Sequence, residues 1–371
     1  MPMLPFGLLG LLHLYIGWRI APQLPAPAAA ALLATLVLSA FLIPWSITRR
    51  RIGDRAAADR WTWAGMSTLG LFSMLLVLTL LRDLVLLLAL PFAHTPLAEP
   101  TAVAVPLLAL LGVLFGLANA RRTAAVRNVD VPIAGLPIAL QGFTIAQITD
   151  VHVGPTVKRP YVQAIVDAVN RLGVDAVAVT GDLVDGRVAD LQADVAPLAE
   201  LRSRHGTFFV TGNHEYYSGA VEWMERLRGL GLRVLHNEHV VLDHDGTDLV
   251  MAGVADFGAH HFDPSHRSSP HGALAGAPAA AGLKVLLAHQ PRSAPAAADA
   301  GYDVQLSGHT HGGQFWPWNL FVRLQQPFTA GLHRLHDLWI YTSRGTGYWG
   351  PPKRFGAPSE ITRLRLICAQ P

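Results

Sequence analysis

Four apolar stretches crowd the first 120 residues of this 371-residue chain and restrict its backbone more than any other feature. They run from Leu4 to Ile20, Ala28 to Trp45, Gly65 to Leu90 and Thr101 to Ala120. At a rise of about 1.5 Å per residue, roughly 20 residues cross a hydrocarbon core. Inside hydrocarbon each N–H and C=O must pair within its own segment, so the pattern predicts helices and about four spans. The first stretch is short, but it lacks a basic amino-terminal region and is followed by another span, which favours a retained helix over a leader. Adjacent Arg82 and Asp83 interrupt the third stretch, and lipid tolerates such a pair only when it turns toward neighbouring helices or lies near an interface.

Charge divides the chain in the same place. Residues 1–127 hold 10 Lys or Arg against 4 Asp or Glu, and the remainder holds 19 against 22, so the formal +3 reflects membrane-flanking arginines. Arg49, Arg50, Arg51, Arg55 and Arg60 follow the second stretch, Arg121, Arg122 and Arg127 follow the fourth, and the loop Pro91 to Pro100 has no basic residue. Positive-inside bias therefore predicts a multi-pass protein of the inner or plasma membrane with its second part in the cytoplasm, Arg19 arguing the other way. The twin arginines at 49 and 50 follow two apolar stretches and so do not read as an export signal. A single cysteine, Cys368, excludes an intramolecular disulfide framework.

The expected organisation is a transmembrane helical region over 1–120, a linker over 121–137 and a catalytic domain over 138–371. In the last, Phe143 to Thr149, Val174 to Thr180 and Thr207 to Val210 read as buried strands. The segments from Pro160 to Arg171, Val188 to Leu201 and Val221 to Leu230 read as crossover helices. Later short strands at Arg233 to Leu235, Val240 to Leu242, Asp248 to Val254, Lys284 to Ala288, Val304 to Leu306, Leu338 to Thr342 and Ile361 to Ile367 suggest a second sheet. The segment Phe257 to Ala281 reads as a long loop.

Polar blocks fall mostly at the ends of the apolar runs: Asp150 and His152, Asp182 and Asp185, Asn213 and His214, then His289, and His309 with His311. Taken singly, such a histidine is a hydrogen-bonded core residue and such an aspartate a turn or helix cap. Taken together they supply negative bridging oxygens and neutral N and O donors, the set that holds two divalent ions roughly 3.5–4 Å apart. Gly181, Gly212, Gly308, Gly312 and Gly313 let the backbone turn tightly beside them.

These blocks, Asp150 to His152, Gly181 to Asp185, Gly212 to Glu215, His289, and Gly308 to His311, closely resemble the calcineurin-like metallophosphoesterase superfamily over roughly Gln141 to Leu366. The extended Gly308 to Gln314 and the late Ser343 to Gly347 further resemble its membrane-associated branch, which contains phosphodiesterases and relatives of lipid A precursor UDP-diacylglucosamine hydrolases. The resemblance implies a four-layer α-β-β-α sandwich behind an all-α transmembrane region. It implies that Asp150, His152 and His311 bind one ion, that Asn213, His289 and His309 bind the other, and that Asp182 bridges them. His214 would meet the substrate phosphate or protonate the departing oxygen, with Asp185 or Glu215 orienting nearby groups, and a metal-bridging hydroxide would attack phosphorus. Such a donor set suits Mn²⁺ first, with Fe or Zn²⁺ as alternatives.

Arg344, flanked by glycines, has two near-equal readings, a bidentate clamp on phosphate and a salt bridge in the Glu360 region. In the related branch an Arg and a Pro-Glu pair precede the last strand; here Arg354 and Glu360 match, and Ser359 replaces the proline. Phe315, Trp316, Trp318, Phe321, Tyr348 and Trp349 fit a headgroup interface or lipid-entry groove as well as they fit core. His260, His261, His266 and His271 fit a variable surface loop better than a further metal site. A site tethered to the bilayer implies a lipid-linked phosphoester, a phosphorylated lipid or nucleotide-linked glycolipid. The net-acidic second part argues against nucleic acid. The alternative from another class is an inactive membrane sensor or scaffold with a phosphoesterase-like binding domain.

Overall fold

The computed structural model describes residues 3–48, 54–92 and 96–369. The chain divides into two units, Met1–Arg121 with Gly350–Phe355, and Arg122–Trp349 with Gly356–Pro371. Arg49, Arg50 and Arg51, on which part of the topology expectation rests, lie outside the described residues.

All four apolar stretches of the helical unit form helices: α1 (Met3–Ile20), α2 (Ala26–Thr48), α3 (Arg55–Ala89) and α4 (Ala98–Arg121). Among the described residues three of them, α2, α3 and α4, are long and apolar enough to cross a membrane. The unit is apolar outward: Leu11, Leu14, Val37, Phe41, Leu88 and Leu111 are exposed, whereas Ser39, Ser46, Thr62, Ser73 and Thr79 are buried. A surface this apolar is stable against lipid tails and not against water. Close backbone approach is built in as well, since a Cβ on Gly65 of α3 would collide with Ser46 of α2. Arg82 and Asp83 face neighbouring helices. Asp83 accepts from Tyr15 Oη at 2.6 Å and from Arg19 Nε and Nη2, each at 2.8 Å. Arg82 donates to Thr101 Oγ1 and to the Ala98 carbonyl, each at 3.0 Å, and to Gln23. The segment Gly350–Phe355 belongs to this unit through Lys353, whose Nζ donates to the Gly70 carbonyl at 3.0 Å. Arg354 adds a second tie, its N–H bonding the Gly116 carbonyl at 2.9 Å.

The catalytic unit is built from β1 (Ala125–Ile133), β2 (Thr144–Ile148), α5 (Arg159–Asn170), β3 (Ala176–Thr180), α6 (Val188–Val195), β4 (Thr207–Val210), α7 (Asn213–Ser218), α8 (Ala220–Gly229) and β5 (Arg233–Val234). It continues with β6 (Glu238–His244), β7 (Thr247–Gly253), α9 (Pro270–Ala273), β8 (Leu283–Leu287), α10 (Ala294–Asp299), β9 (Val304–Ser307), β10 (Gly331–Leu335), β11 (Leu338–Thr342) and β12 (Glu360–Cys368). Two six-stranded sheets result, in the orders β1-β12-β2-β3-β4-β5 and β10-β11-β9-β8-β7-β6. Period-two alternation decides what each strand residue touches. Leu249, Met251, Val285 and Leu287 join Ile145, Ala178 and Phe208 between the sheets, while Val250, Ala252, Leu286 and Ile340 pack outward with Ala294 and Ala297 of α10. α5 presents Tyr161, Val162, Ile165, Val166 and Val169 as one buried stripe, the helical spacing that covers a sheet face. The layers are those of the expected α-β-β-α sandwich.

Several segments differ from expectation: β5 and β12, expected in the second sheet, join the first, and the expected loop Phe257 to Ala281 contains the short helix α9. Residues 121–137, expected as a linker, contain β1, which pairs in parallel with β12 from Ala125↔Glu360 to Ile133↔Cys368. β10 pairs antiparallel with β11 and was absent from the expected strands. Both are edge strands with little burial, so neither carries the apolar signature of its neighbours. The expected helix to Leu201 stops at Val195 and continues as a 3₁₀ turn, Ala196–Glu200, because Pro197 cannot donate an α-helical bond.

Candidate metal centre

Every expected site residue follows the carboxyl end of a parallel-paired strand. Asp150 and His152 follow β2, Asp182 and Asp185 follow β3, and Asn213 and His214 follow β4; in the second sheet His289 follows β8, His309 and His311 follow β9, and Arg344 follows β11. Strand direction alone thus delivers these side chains to one end of the sandwich. The turns are tight. Asp150, His152, Asp182, His309 and His311 all have φ between 50° and 70°, the left-handed region that costs a side-chain-bearing residue about 1–2 kcal/mol. Five such residues in one site store strain that the surrounding bonds hold in place, as when Asp150 N–H donates to the Gly181 carbonyl at 3.0 Å. Gly181 (φ 85°) has no substitute, because a Cβ there would lie 2.7 Å from His289 Nδ1 and 2.6 Å from the Gly212 nitrogen.

Two clusters of ligand atoms form, Asp150 with His152 and His311, and Asp182 with His289 and His309; a third joins His152, Asp185 and His214. His289 Nδ1 bonds the Thr180 carbonyl at 2.8 Å, which fixes the proton there and turns Nε2 toward Asp182 Oδ2 at 3.1 Å and His309 Nδ1 at 3.2 Å. His152 Nδ1 bonds Asp185 Oδ1 at 3.2 Å, and its Nε2 meets His311 Nε2 at 3.0 Å and Asp182 Oδ2 at 4.0 Å. His311 Nε2 lies 3.4 Å from Asp150 Oδ1. His214 Nδ1 bonds Asp185 Oδ1, leaving its Nε2 facing Asp182 Oδ2 at 4.0 Å.

Below this layer the fully buried Glu215 acts as an anchor. Oε2 accepts from Gly212 and Asp182 N–H at 2.7 and 3.0 Å, and Oε1 from Leu183 and Val184 N–H at 2.8 and 3.2 Å. Four backbone donors from two strand-end loops on one carboxylate lock the Asp182 and Asn213 turns together. Sequence reasoning gave Glu215 only a general orienting role; this N–H cradle has no sequence signal beyond the Gly-Asn-His-Glu block.

The electrostatics express crowding. Burial would raise Asp182, but facing His289, His214 and His152 outweigh it and hold its carboxyl well below the usual range. Burial pushes Asp150 the other way, upward. His289 is raised well above the ordinary histidine value, the neighbouring Asp182 overcoming burial, whereas burial and His289 push His309 down to about 3. Burial opposes charge on His214 too, but its bond to Asp185 carries it up to about 9.

A divalent pair fits these residues. Asn213 Oδ1 is buried without a hydrogen-bond partner among the described residues, and imidazole lone pairs converge with carboxylate oxygens. A buried acceptor left unsatisfied costs about 1–3 kcal/mol, and a cation at the cluster would satisfy it.

Arg344 is tied to the carboxylate of Glu360. Its Nη1 donates to Glu360 Oε2 at 3.1 Å and its N–H to Oε1 at 3.1 Å, the salt bridge of the two sequence readings, and its stem lies against Gly312. Arg354 is buried in the helical unit, and Ser359 at the expected proline position donates to the Gly347 carbonyl at 3.2 Å. The aromatic residues divide between their two readings: Tyr348 is buried, while Trp318, Phe321 and Trp349 are exposed. The rings of Trp349 and Tyr217 flank His214, with centroids 5.6 and 5.2 Å away. Tyr217 escaped sequence reasoning, although its place three residues after His214 on one helix was a usable signal. Of the loop histidines, His266 bonds Tyr216 Oη at 3.0 Å and His271 meets Asp299 at 3.1 Å; none of the four joins a metal-capable group among the described residues.

The profile of the calcineurin-like phosphoesterase family matches residues 143–313. A relative from Aquifex aeolicus, described as an uncharacterized metallophosphoesterase, is 33% identical over 60% of this chain and 84% of its own length. The chain belongs to the calcineurin-like metallophosphoesterase family. Within that family it is similar to membrane-associated members. Proteins of Danio rerio and Bos taurus, each described as a transmembrane protein with metallophosphoesterase domain, are 39% and 41% identical over 72% and 74% of this chain. The chain spans 62% and 64% of those relatives' lengths.

Proposed function

We propose that this metallophosphoesterase is a membrane-held, metal-dependent phosphodiesterase acting on a phosphorylated lipid or a nucleotide-linked glycolipid. The observation that carries the reading is the convergence of His and Asp ligand atoms in the strand-end turns, together with Asn213 Oδ1, buried without a hydrogen-bond partner among the described residues. Asp150, His152 and His311 would hold one ion, Asn213, His289 and His309 the other, and Asp182 would serve both. Mn²⁺ is the first choice and Fe or Zn²⁺ the next. Such a pair supplies, when bound, a water activated near neutral pH and cationic screening of the phosphoryl oxygens. His214, held at Nδ1 by Asp185, donates from Nε2 to the departing oxygen. Arg344, paired with Glu360, meets a phosphate oxygen in this reading.

Helix α1 is a fourth crossing in this reading, and the basic segments support a cytoplasmic catalytic unit. Reporter fusions after Arg127 test that placement; an extracytoplasmic signal overturns it. The activity is tested with purified full-length protein and Mn²⁺ on bis(p-nitrophenyl) phosphate. Turnover that needs metal and disappears in Asp182→Asn is expected, and no metal-dependent turnover of any phosphoester would leave the family's binding role alone.

A further inference from the structure

Resting on that reading, the flank of His214 bears on which of the two P–O bonds breaks. Its ring meets two exposed aromatic side chains, Tyr217 of α7 and Trp349, at interplanar angles of 68° and 73°. Trp349 is 50% exposed and Tyr217 63%, far more than large aromatic groups show when they serve as core. Phe262, also exposed, extends the wall with its ring 5.6 Å from Tyr217. Trp349 is held from behind: Gln314 Oε1 accepts its N–H at 2.9 Å and Gln314 Nε2 donates to its carbonyl at 2.7 Å. Because Gln314 caps the His311–Gly313 turn, the same loop that presents the histidines fixes this aromatic face. The surroundings of Arg344 are different, a guanidinium on Glu360 beside Gly312 and next to His311.

We propose that Trp349 and Tyr217 form an apolar subsite for the departing alcohol, so that the lipid alcohol leaves and the polar head group keeps the phosphate. His214 Nε2 is the atom that meets the leaving oxygen, so whatever is bonded to that oxygen lies against the two rings. In the balanced step the oxygen of water bonds to phosphorus while the bond from phosphorus to the lipid oxygen breaks. That oxygen takes the proton of His214 Nε2, and a proton released by the water restores it. The products are a free lipid alcohol and a phosphate monoester of the head group.

The test uses the full-length protein with Mn²⁺ and hexyl glyceryl phosphodiester, kept monomeric in solution so that docking on an interface plays no part. Its two alcohols are of similar acidity, so the enzyme chooses between them. Products are read by phosphorus NMR at enzyme concentrations near that of the substrate. Hexanol and glycerol phosphate are expected to dominate. Trp349→Ala and Tyr217→Ala should each shift the product ratio roughly fivefold to tenfold toward hexyl phosphate and glycerol, with Trp349→Phe restoring it. Hexyl phosphate as the main product, or a ratio unmoved by either alanine variant, overturns the subsite. Cleavage of bis(p-nitrophenyl) phosphate with the hexyl diester untouched does so as well and leaves the phosphodiesterase reading standing. Failure on both diesters removes that reading and the subsite with it.

Discussion

Each unit buries a polar cluster, and the two are composed on opposite terms. In the helical unit the carboxylate of Asp83 is matched by Tyr15 and Arg19, and Arg82 finds Thr101, Gln23 and backbone carbonyls. Donors and acceptors there complete one another. In the catalytic unit Asn213 Oδ1 has no hydrogen-bond partner among the described residues, and the turned-in nitrogens of His152, His289, His309 and His311 crowd against one another and against Asp150 and Asp182. A completed cluster in low dielectric is an architectural joint, whereas one that gathers ring nitrogens and carboxylate oxygens within reach of one another is a seat for cations. Burial alone does not tell the two apart; which atoms face one another does.

The contrast breaks most visibly at Asp182. Asp182→Asn should lower kcat/KM on an aryl phosphodiester on the order of a thousandfold, with bound metal falling in elemental analysis. A variant that retains both metal and activity removes Asp182 from the centre. His214→Gln should cost about a hundredfold in kcat with metal content unchanged, which separates proton donation from ion binding.

Stability sharpens the comparison from the other side. Asp83→Leu strands Arg19 and Arg82 and should destabilise the protein in detergent by about 3 kcal/mol, read by thermal unfolding. Asp150→Asn, measured in chelator, should leave the unfolding temperature unchanged or raise it, because burial already disfavours that carboxylate. Equal losses in the two variants would erase the distinction drawn between the clusters.

A smaller effect lies at His236, which bonds Tyr216 Oη at 3.3 Å and is pushed down to about 4 by burial and then by His266. The unfolded chain takes this proton near the ordinary 6.5, so between those values the unfolded state holds more protons. Stability contributed by neutral His236 is therefore full above that window and lost as pH falls through it. His236→Gln should flatten this part of the acid unfolding curve.

Much of this was legible in the chain itself, for physical reasons that differ by element. β2, β3 and β4 are buried on both faces and stand out as apolar runs, and the residues just past their ends could be picked out as ligands. β1 was not legible: Arg127, Asn128 and Asp130 give it the composition of a linker, and only its pairing with β12, with Asp130 taking Arg365 at 2.8 Å, makes it a strand. The place of Arg354 was hidden for a related reason. Its motif match said only that it precedes the last strand, and which unit a hexapeptide joins depends on packing that no local pattern encodes.

That hexapeptide also sets an order of events during synthesis. The four helices emerge from the ribosome first, yet the unit they form also includes Gly350–Phe355, translated about 230 residues after Arg121. At about 5–20 residues per second the helices wait roughly ten seconds or longer with the positions of Lys353 and Arg354 unfilled. Insertion and assembly of this unit are therefore separate steps, and a nascent chain stalled short of residue 350 would carry inserted helices that lack their last piece.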